Sequence, residues 1–311
     1  MKISFVGAGG VGGYYGAMLA RAGHDVSFIA RGRHLDAIRQ NGLRIVGPLG
    51  DFRVNTPASS DPAEIGPVDV VVFTVKTYDN KAAIPLIAPL LGPDTTVLTL
   101  QNGVDSAEEI AGVIGQKHVI GGCTYVATAI ETPGVIRQTG THRRVVLGEY
   151  FDPKRHVSGR VQLLAEAMMG ADIQAEAVVD VRHAVWEKFT YLAPFAAFTG
   201  AARLPIGPLW ANGESQQVFL DAVMEVANVA KAHGAQMPAD HRAIVLDYLA
   251  KLPPSTRSSL LIDLSQGKPI EVEALQGSVV RRGARVGVPT PIMAALYAVL
   301  KPHAGGAGVA G

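Results

Sequence analysis

A glycine-rich motif near the N-terminus constrains the fold of this chain more than any other feature. Gly7, Gly9 and Gly12 follow a short apolar segment, residues 3–6, and open a helical pattern that runs to residue 21. In such a strand–turn–helix, the first glycine allows a tight turn, the second lets a pyrophosphate approach the backbone, and the third lets helix and strand pack closely. With 35 glycines in the chain, the spacing alone is weak evidence, but its context predicts a dinucleotide site.

The predicted cofactor contacts lie in this turn and in the first turn of the helix. The N–H groups and the positive dipole end at a helix N-terminus bind phosphate. The alternative is a glycine-rich turn that binds nothing. We expect the dinucleotide to be held by Gly7, Ala8, Gly9, Gly10, Val11 and Gly12.

The end of the second predicted strand indicates which dinucleotide binds. NAD-specific domains usually place an Asp or Glu there, where it accepts hydrogen bonds from the ribose 2′-OH. Here Arg31 and Arg33 follow the strand, and Asp25 lies at its other end. Because a guanidinium matches phosphate geometry, Arg31 favours a 2′-phosphate and therefore NADP(H) over NAD(H). Two solvated arginines before a helix are the alternative.

The order of the predicted elements indicates two domains. Alternating strand and helix patterns in the first half predict an α/β fold with a Rossmann-type doubly wound sheet, and residues 43–54 predict a hairpin that decorates it. Helical spacing dominates from residue 181. We therefore predict an NADP-binding Rossmann-type domain at 1–180, an all-helical substrate and catalytic domain at 181–303, and a disordered, Gly- and Ala-rich tail at 304–311.

Composition and charge exclude several classes of function. The formal net charge of +1 gives no electrostatic case for nucleic acid or an anionic membrane as a partner. No apolar run is long enough to span a bilayer, and the histidines lack metal-ligand spacing, so we expect no metal. Cys123 is the only cysteine and no secretory signal pattern is present, so we expect a cytoplasmic protein.

Polar residues stand where two of the predicted strands end. Lys76 follows the apolar run at 70–75, and Asn102 follows the run at 97–100. Ligands of open parallel sheets bind outside the carboxyl ends of the strands. We expect both side chains to border the crevice of the glycine loop; a surface lysine and a turn Asn-Gly are the alternatives.

Two further stretches in the second half carry candidate chemistry. Lys188 lies within an otherwise apolar helix, so its ammonium either reaches solvent along its stem or faces a cleft and protonates an alkoxide. Ser259 and Glu271 either share one ligand or belong only to a capped helix and a turn.

Taken in order, these motifs resemble the ketopantoate reductases (2-dehydropantoate 2-reductases). The resemblance spans roughly residues 1–300. It rests on the glycine loop, Val75-Lys76-Thr77, Leu100-Gln101-Asn102-Gly103, Trp186-Glu187-Lys188, and Ser258-Ser259 through Asp263 to Glu271 and Gly277.

The resemblance implies hydride transfer from NADPH to the C2 carbonyl of ketopantoate, giving (R)-pantoate in pantothenate biosynthesis, with the substrate between the two domains. It implies that Lys188 is the general acid, that Glu271 binds a substrate hydroxyl or holds Lys188, and that Ser259 contacts the substrate carboxylate. Asn102 would bridge cofactor and substrate, while Lys76 and Arg31 would serve the cofactor.

One departure from the family pattern keeps the substrate open. Family members commonly carry asparagines four and eight residues after the lysine, and this chain has Leu192 and Ala196 there. The alternatives are therefore reduction of a more apolar 2-oxo acid, or NADPH binding without catalysis, although Lys188 and Glu271 weigh against the latter. Apolar helices could pack within the chain or against a second copy, so a homodimer also stays open.

Overall fold

The computed structural model describes residues 1–307, and internal contacts divide the chain into two compact units. The sheet unit comprises Met1–Gln101 and Ser106–Ala184. The helical unit comprises Asn102–Asp105 and the chain from Val185 onward. The sequence patterns put the division at residue 180 and did not predict that residues 102–105 pack with the helices.

All strands of the described residues belong to the sheet unit. They are β1 (Lys2–Val6), β2 (Asp25–Ile29), β3 (Leu43–Gly47), β4 (Gly50–Val54), β5 (Ala58–Ser59), β6 (Val70–Phe73), β7 (Thr96–Thr99), β8 (Val119–Tyr125), β9 (Thr128–Thr132), β10 (Val135–Gln138), β11 (Arg144–Glu149) and β12 (Gln174–Ala177).

The larger sheet has eight strands in the order β12-β11-β8-β7-β6-β1-β2-β5. β1 pairs in parallel with β2 and β6, so Ile3 lies opposite Val26 on one side and Val70 on the other. Every residue of β6 is buried, as expected for a parallel strand covered on both faces. β11 runs antiparallel to β8. The predicted Rossmann-type α/β fold is confirmed, with a sheet that is mixed rather than wholly parallel.

A second sheet of four strands has the order β4-β3-β10-β9. The predicted hairpin is present as β3 and β4, but β3 also pairs in parallel with β10. The hairpin is therefore half of a separate sheet and not a decoration of the larger one. The first helix, α1 (Gly10–Arg21), packs on both sheets, since Gly16 lies against Phe28 of β2 and Gly13 lies against Ile136 of β10.

The remaining helices complete the sheet unit and build the helical unit. They are α2 (Gly32–Asn41), α3 (Asn80–Ala83), α4 (Ser106–Ile114), α5 (Gly159–Gly170), α6 (Val181–Ala202), α7 (Ile206–Ala211), α8 (Gly213–Ala232), α9 (His241–Ala250), α10 (Ser259–Ser265), α11 (Ser278–Val286) and α12 (Pro291–Leu300). Short 3₁₀ turns occur at Pro62–Glu64, Thr77–Asp79, Ile84–Leu90, Gln116–His118 and Lys301–His303, and a π-helical turn occurs at Glu273–Gly277.

The helical unit is organised around α6 and α8. Both lie in the region where helical spacing dominates the sequence, and Gly234, with a left-handed φ of 85°, follows the end of α8. Pro194 lies inside α6 and removes one of its backbone donors. One buried apolar cluster of this unit comprises Phe195, Ile206, Phe219, Leu220, Val223, Val245 and Leu249.

The first part of the tail that was predicted to be disordered is held by backbone hydrogen bonds. The Ala307 N–H donates to the Gly267 carbonyl at 2.8 Å, and the Ile270 N–H donates to the Ala304 carbonyl at 3.2 Å. These bonds use backbone groups, so a segment without large apolar side chains is still held in place, which its composition did not reveal. Residues 308–311 lie outside the described residues.

Candidate active site

The glycine loop between β1 and α1 is shaped by close backbone contacts. Gly7 has a φ of +101°, and a Cβ there would lie 2.9 Å from the backbone nitrogen of Val75. A Cβ on Gly12 would overlap the Gly7 carbonyl oxygen and Thr74 Oγ1. Around Gly9, in contrast, an added Cβ would meet no heavy atom within 4 Å. The loop is therefore tightly packed at Gly7 and Gly12 and open at Gly9.

The residues of this loop fit a dinucleotide phosphate. Gly9 is the N-cap of α1 and supplies no side-chain cap, whereas the first N–H groups of a helix need an acceptor from outside the helix. A phosphate provides that acceptor and is also favoured by the positive end of the helix dipole. The open space at Gly9 leaves room for it beside the N–H groups of Gly10, Val11 and Gly12.

Two side chains hold the loop in this shape. Thr74 Oγ1 donates to the Gly7 carbonyl at 2.7 Å. His34 Nε2 lies 2.8 Å from the Ala8 carbonyl oxygen, and the Gly134 N–H donates to His34 Nδ1 at 3.1 Å. Because Nδ1 accepts, Nε2 carries the proton and donates to Ala8, so the ring is neutral. Burial lowers the pKa of His34. Sequence reasoning missed this histidine, since nothing near it in sequence indicates its two partners.

Arg31, the predicted 2′-phosphate ligand, lies at the N-cap of α2 with 76% of its side chain exposed. Its Nη2 donates to Asp79 Oδ2 at 2.6 Å. Asp79 is the last residue of the 3₁₀ turn that follows Lys76. The carboxylate that contacts this arginine therefore comes from the turn after β6 and not from β2. Arg33 is exposed on the first turn of α2. Both guanidinium groups are accessible to a phosphate.

Lys76 lies just beyond β6, at the N-cap of the 3₁₀ turn Thr77–Asp79, and is half-buried. β1 and β6 are parallel neighbours, so Lys76 and the glycine loop follow the same edge of the sheet, as predicted. Gln101 Nε2 donates to the Val75 carbonyl and to Asn80 Oδ1, both at 2.7 Å. Gln101 therefore fixes the backbone on one side of Lys76, a role that the sequence analysis did not assign.

The catalytic candidate Lys188 meets a second predicted residue. Its Nζ donates to Asn102 Oδ1 at 3.0 Å, although the two residues are 86 positions apart. Both side chains are half-buried, and α6 is fixed beside Lys188 by Trp186 and Phe189, which are 2% and 1% exposed. Tertiary packing therefore holds an ammonium against an amide oxygen within the helical unit.

The two apolar replacements lie on the same helix as Lys188. Leu192 and Ala196 follow it at helical spacing of four and eight residues, which places all three on one face of α6. Leu192 is half-buried and Ala196 is buried. Of the two apolar side chains, only Leu192 is therefore partly accessible on the face that carries the ammonium.

The remaining predicted residues occupy different environments. Glu271 is only 7% exposed. Ser259 is exposed at the first position of α10, whereas the adjacent Ser258 is buried, caps α10 by accepting from the Leu261 N–H, and lies 2.7 Å from Thr199 Oγ1. Of these two neighbouring serines, Ser258 is therefore the one with a structural role, as the cap of α10.

Within residues 1–307, no helix is long and apolar enough to cross a membrane. The same residues contain no group of three or more His, Cys, Asp or Glu side chains placed to hold a metal ion.

Comparison with known proteins identifies the family. Residues 3–151 match ketopantoate reductase PanE/ApbA, and residues 180–304 match its C-terminal domain. A 2-dehydropantoate 2-reductase of Mesorhizobium japonicum is 33% identical and is aligned over 97% of each chain. The crystal structure of a PanE/ApbA family ketopantoate reductase from Ralstonia eutropha JMP134 has a TM-score of 0.88 at 35% identity, covering 97% of this chain and 98% of the other.

A more distant structure shares the fold. The ternary structure of D-mandelate dehydrogenase with NADH and anilino(oxo)acetate has a TM-score of 0.88 at 21% identity, covering 97% of this chain and 98% of that one. The two family matches together span most of the sequence and include the glycine loop, Lys188 and Glu271. The chain therefore belongs to the ketopantoate reductase family of oxidoreductases.

Proposed function

We propose that this protein reduces 2-dehydropantoate to (R)-pantoate with NADPH, a step of pantothenate biosynthesis. The observation that carries the proposal is the bond from Lys188 Nζ to Asn102 Oδ1, at 3.0 Å. It holds a proton donor in a defined orientation, as the reduction of a carbonyl requires. The relatives named 2-dehydropantoate 2-reductase support the choice of substrate.

In the proposed reaction, NADPH supplies a hydride to the C2 carbonyl carbon when it is bound. Lys188 stabilises the negative charge that develops on the C2 oxygen and donates a proton to it. The C=O bond thus becomes CH–OH, with the hydride on carbon and the proton on oxygen. Because Lys188 is half-buried, its charge acts on the substrate more strongly than it would in water.

Four further residues have proposed roles toward the substrate or cofactor. Asn102 orients Lys188 and contacts both ligands. Glu271, which is nearly buried, binds a substrate hydroxyl or holds Lys188, and Ser259 contacts the substrate carboxylate from the exposed start of α10. Lys76 contacts the cofactor beside the glycine loop.

We propose NADPH over NADH because of Arg31. Its guanidinium is accessible at the N-cap of α2, and a 2′-phosphate offers it paired acceptor oxygens. An incoming phosphate competes with Asp79 for this group, and Arg33 adds a second positive charge nearby in the chain.

A second candidate substrate is a more apolar 2-oxo acid. The apolar face formed by Leu192 and Ala196 beside Lys188 favours it, because that face has no amide to bind a substrate hydroxyl. Sites that hydrogen-bond a substrate hydroxyl discriminate strongly, whereas an apolar pocket discriminates weakly. The substitution Leu192→Asn, at the partly accessible one of the two positions, should therefore shift kcat/KM toward ketopantoate by about tenfold if the apolar acid is the natural substrate.

A substrate panel separates the two candidates. Oxidation of NADPH is followed by absorbance with ketopantoate and with branched, linear and aromatic 2-oxo acids. The proposal expects kcat/KM for ketopantoate to exceed that for every other acid. Preference for an acid without a hydroxyl would favour the second candidate, and NADPH binding without turnover of any acid would contradict both.

A further inference from the structure

A buried arginine attaches residues 102–105 to the helical unit. Arg282 of α11 donates from Nε to Asp105 Oδ1 at 2.6 Å and from Nη2 to the Val104 carbonyl at 3.4 Å. The arginine is only 6% exposed. One guanidinium therefore contacts a side chain and a backbone carbonyl of the short segment that begins with Asn102.

Arg282 also contacts the helix that carries Lys188. Its Cζ lies 5.8 Å from the ring centroid of Trp186, which precedes Lys188 by two residues on α6. The Trp186 ring stacks on His233 at 5.7 Å and 16°, and His233 Nε2 lies 3.4 Å from the Arg282 carbonyl oxygen. The same guanidinium thus links the surroundings of Lys188 to the segment of Asn102.

Gly103 leaves this segment little freedom to move. Its φ is +98°, and a Cβ there would lie 3.0 Å from the Ala274 carbonyl oxygen, in the π-helical turn. The packing at Gly103 and the two contacts of Arg282 therefore constrain the residues that directly follow Asn102 in the chain. A displacement of the segment would move the amide oxygen of Asn102 away from Lys188.

We propose that Arg282 is a positioning residue, and that its pair with Asp105 holds Asn102 where the amide accepts a hydrogen bond from Lys188. This inference rests on the proposed function, in which Lys188 is the proton donor. Reaction rates fall steeply when a reacting group is displaced by about an ångström. Arg282 therefore acts on the rate through Asn102 and not by contact with the substrate.

A double-mutant cycle tests this role. Arg282→Met keeps an apolar stem against Trp186 but removes both donors. We expect it to lower kcat about tenfold or more and to raise the KM for NADPH by a smaller factor, because the displaced Asn102 also contacts the cofactor. In an Asn102→Ala background, the same substitution should change kcat less than about twofold, because residues that act through one another are not additive.

Two additional variants separate positioning from folding. Arg282→Met with Asp105→Asn removes both charges, so that no unpaired charge stays buried, yet it still loses the link and should also lower kcat. Arg242→Met breaks the exposed pair of Arg242 with Asp221, which is 2.8 Å long, and should leave kcat unchanged. Thermal unfolding of each variant shows whether it is folded.

Hydrogen exchange gives a readout that does not depend on turnover. Peptides that cover residues 102–105 should exchange faster in Arg282→Met than in the parent protein. In Arg242→Met they should exchange at the parental rate. The positioning role would be overturned if the effects of Arg282→Met and Asn102→Ala on kcat multiply. Unchanged exchange over residues 102–105 in Arg282→Met would also overturn it. If the parent protein turns over no 2-oxo acid, the proposed function fails while the exchange experiment still tests the link.

Discussion

The candidate sites of the two units are built from different materials. In the sheet unit, the glycine loop presents backbone N–H groups, and its shape depends on where side chains are absent, at Gly7, Gly9 and Gly12. In the helical unit, the site depends on where side chains are present, namely Lys188 and Asn102. The first site should therefore be most sensitive to added atoms, and the second to removed functional groups.

The largest effect should follow from removing the ammonium in the helical unit. Lys188→Ala deletes the proposed proton donor, and general acid catalysis contributes about 10²–10⁴-fold. We expect kcat to fall about 10³-fold, equivalent to about 4 kcal/mol. The dissociation constant of NADPH should hardly change, because the proposed phosphate contacts are backbone N–H groups of the glycine loop and not Lys188.

Lys251→Ala provides the matched control for this prediction. Lys251 is an exposed lysine of the same unit, paired with Asp247 at 2.5 Å, and its removal should leave kcat and unfolding temperature within error. Steady-state kinetics and NADPH fluorescence titration measure both variants. A Lys188→Ala enzyme with more than about a tenth of the parental kcat would contradict the role of Lys188 as the acid, since less than tenfold is below the usual contribution.

Adding one methyl group to the sheet unit should give the next largest effect. In Gly12→Ala, the new Cβ overlaps the Gly7 carbonyl oxygen and Thr74 Oγ1, and overpacking of this kind costs about 1–3 kcal/mol. We expect a lower unfolding temperature, measured by calorimetry, together with weak NADPH binding, because the loop cannot keep its shape.

Gly9→Ala sharpens the same prediction, since its Cβ would meet no heavy atom within 4 Å. This variant should keep the parental unfolding temperature and lose only affinity for NADPH, where the phosphate needs the space. If Gly9→Ala binds NADPH as tightly as the parent, the pyrophosphate does not lie against Gly9.

The difference between the units also explains what the sequence could predict. The glycine loop is local: its strand, turn and helix are contiguous, so spacing and apolar periodicity sufficed to place it. The second sheet was missed because β3 pairs with β10 across a long stretch of sequence, and no local pattern encodes that partner.

The helical site was predicted only in part, for the same physical reason. Its place at a strand end singled out Asn102, and a charge within an apolar helix singled out Lys188, but their contact depends on tertiary packing. Nothing in the sequence indicated that Asp105 would meet a buried arginine 177 positions away. The roles of His34 and Gln101 were likewise missed, because both contact backbone groups whose positions depend on the complete fold.

A smaller effect should come from the exposed cation beside the glycine loop. Arg31→Ala removes a charge-assisted bond to the 2′-phosphate, which solvent weakens because 76% of the side chain is exposed. We expect the dissociation constant of NADPH to rise about fivefold, or about 1 kcal/mol. NADH lacks the 2′-phosphate and should bind almost unchanged. Fluorescence titration with both nucleotides measures the difference, and equal losses for the two would contradict the assignment.

The smallest expected effect is a pH dependence of the sheet unit that involves His34. Burial lowers the pKa of His34 in the folded protein, so the unfolded chain takes up the proton more readily. The contribution of His34 to stability is therefore present above its unfolded pKa of about 6.5 and is lost as the pH falls through the lower folded pKa. Protonation at Nδ1 also removes the acceptor for the Gly134 N–H, a bond worth about 1 kcal/mol.

The unfolding temperature should consequently fall more between about pH 7.5 and pH 5.5 in the parent protein than in His34→Gln, by about 2–4 °C for 1 kcal/mol in a domain of this size. Burial also lowers the pKa of His24, but His24 is present in both proteins and its contribution cancels. NADPH affinity should follow the same trend, because His34 holds the Ala8 carbonyl of the glycine loop. Parallel losses of stability in the two proteins would mean that the loop keeps its shape without the neutral imidazole. The shape of the loop would then depend on the packing at Gly7 and Gly12 and on the hydrogen bond from Thr74.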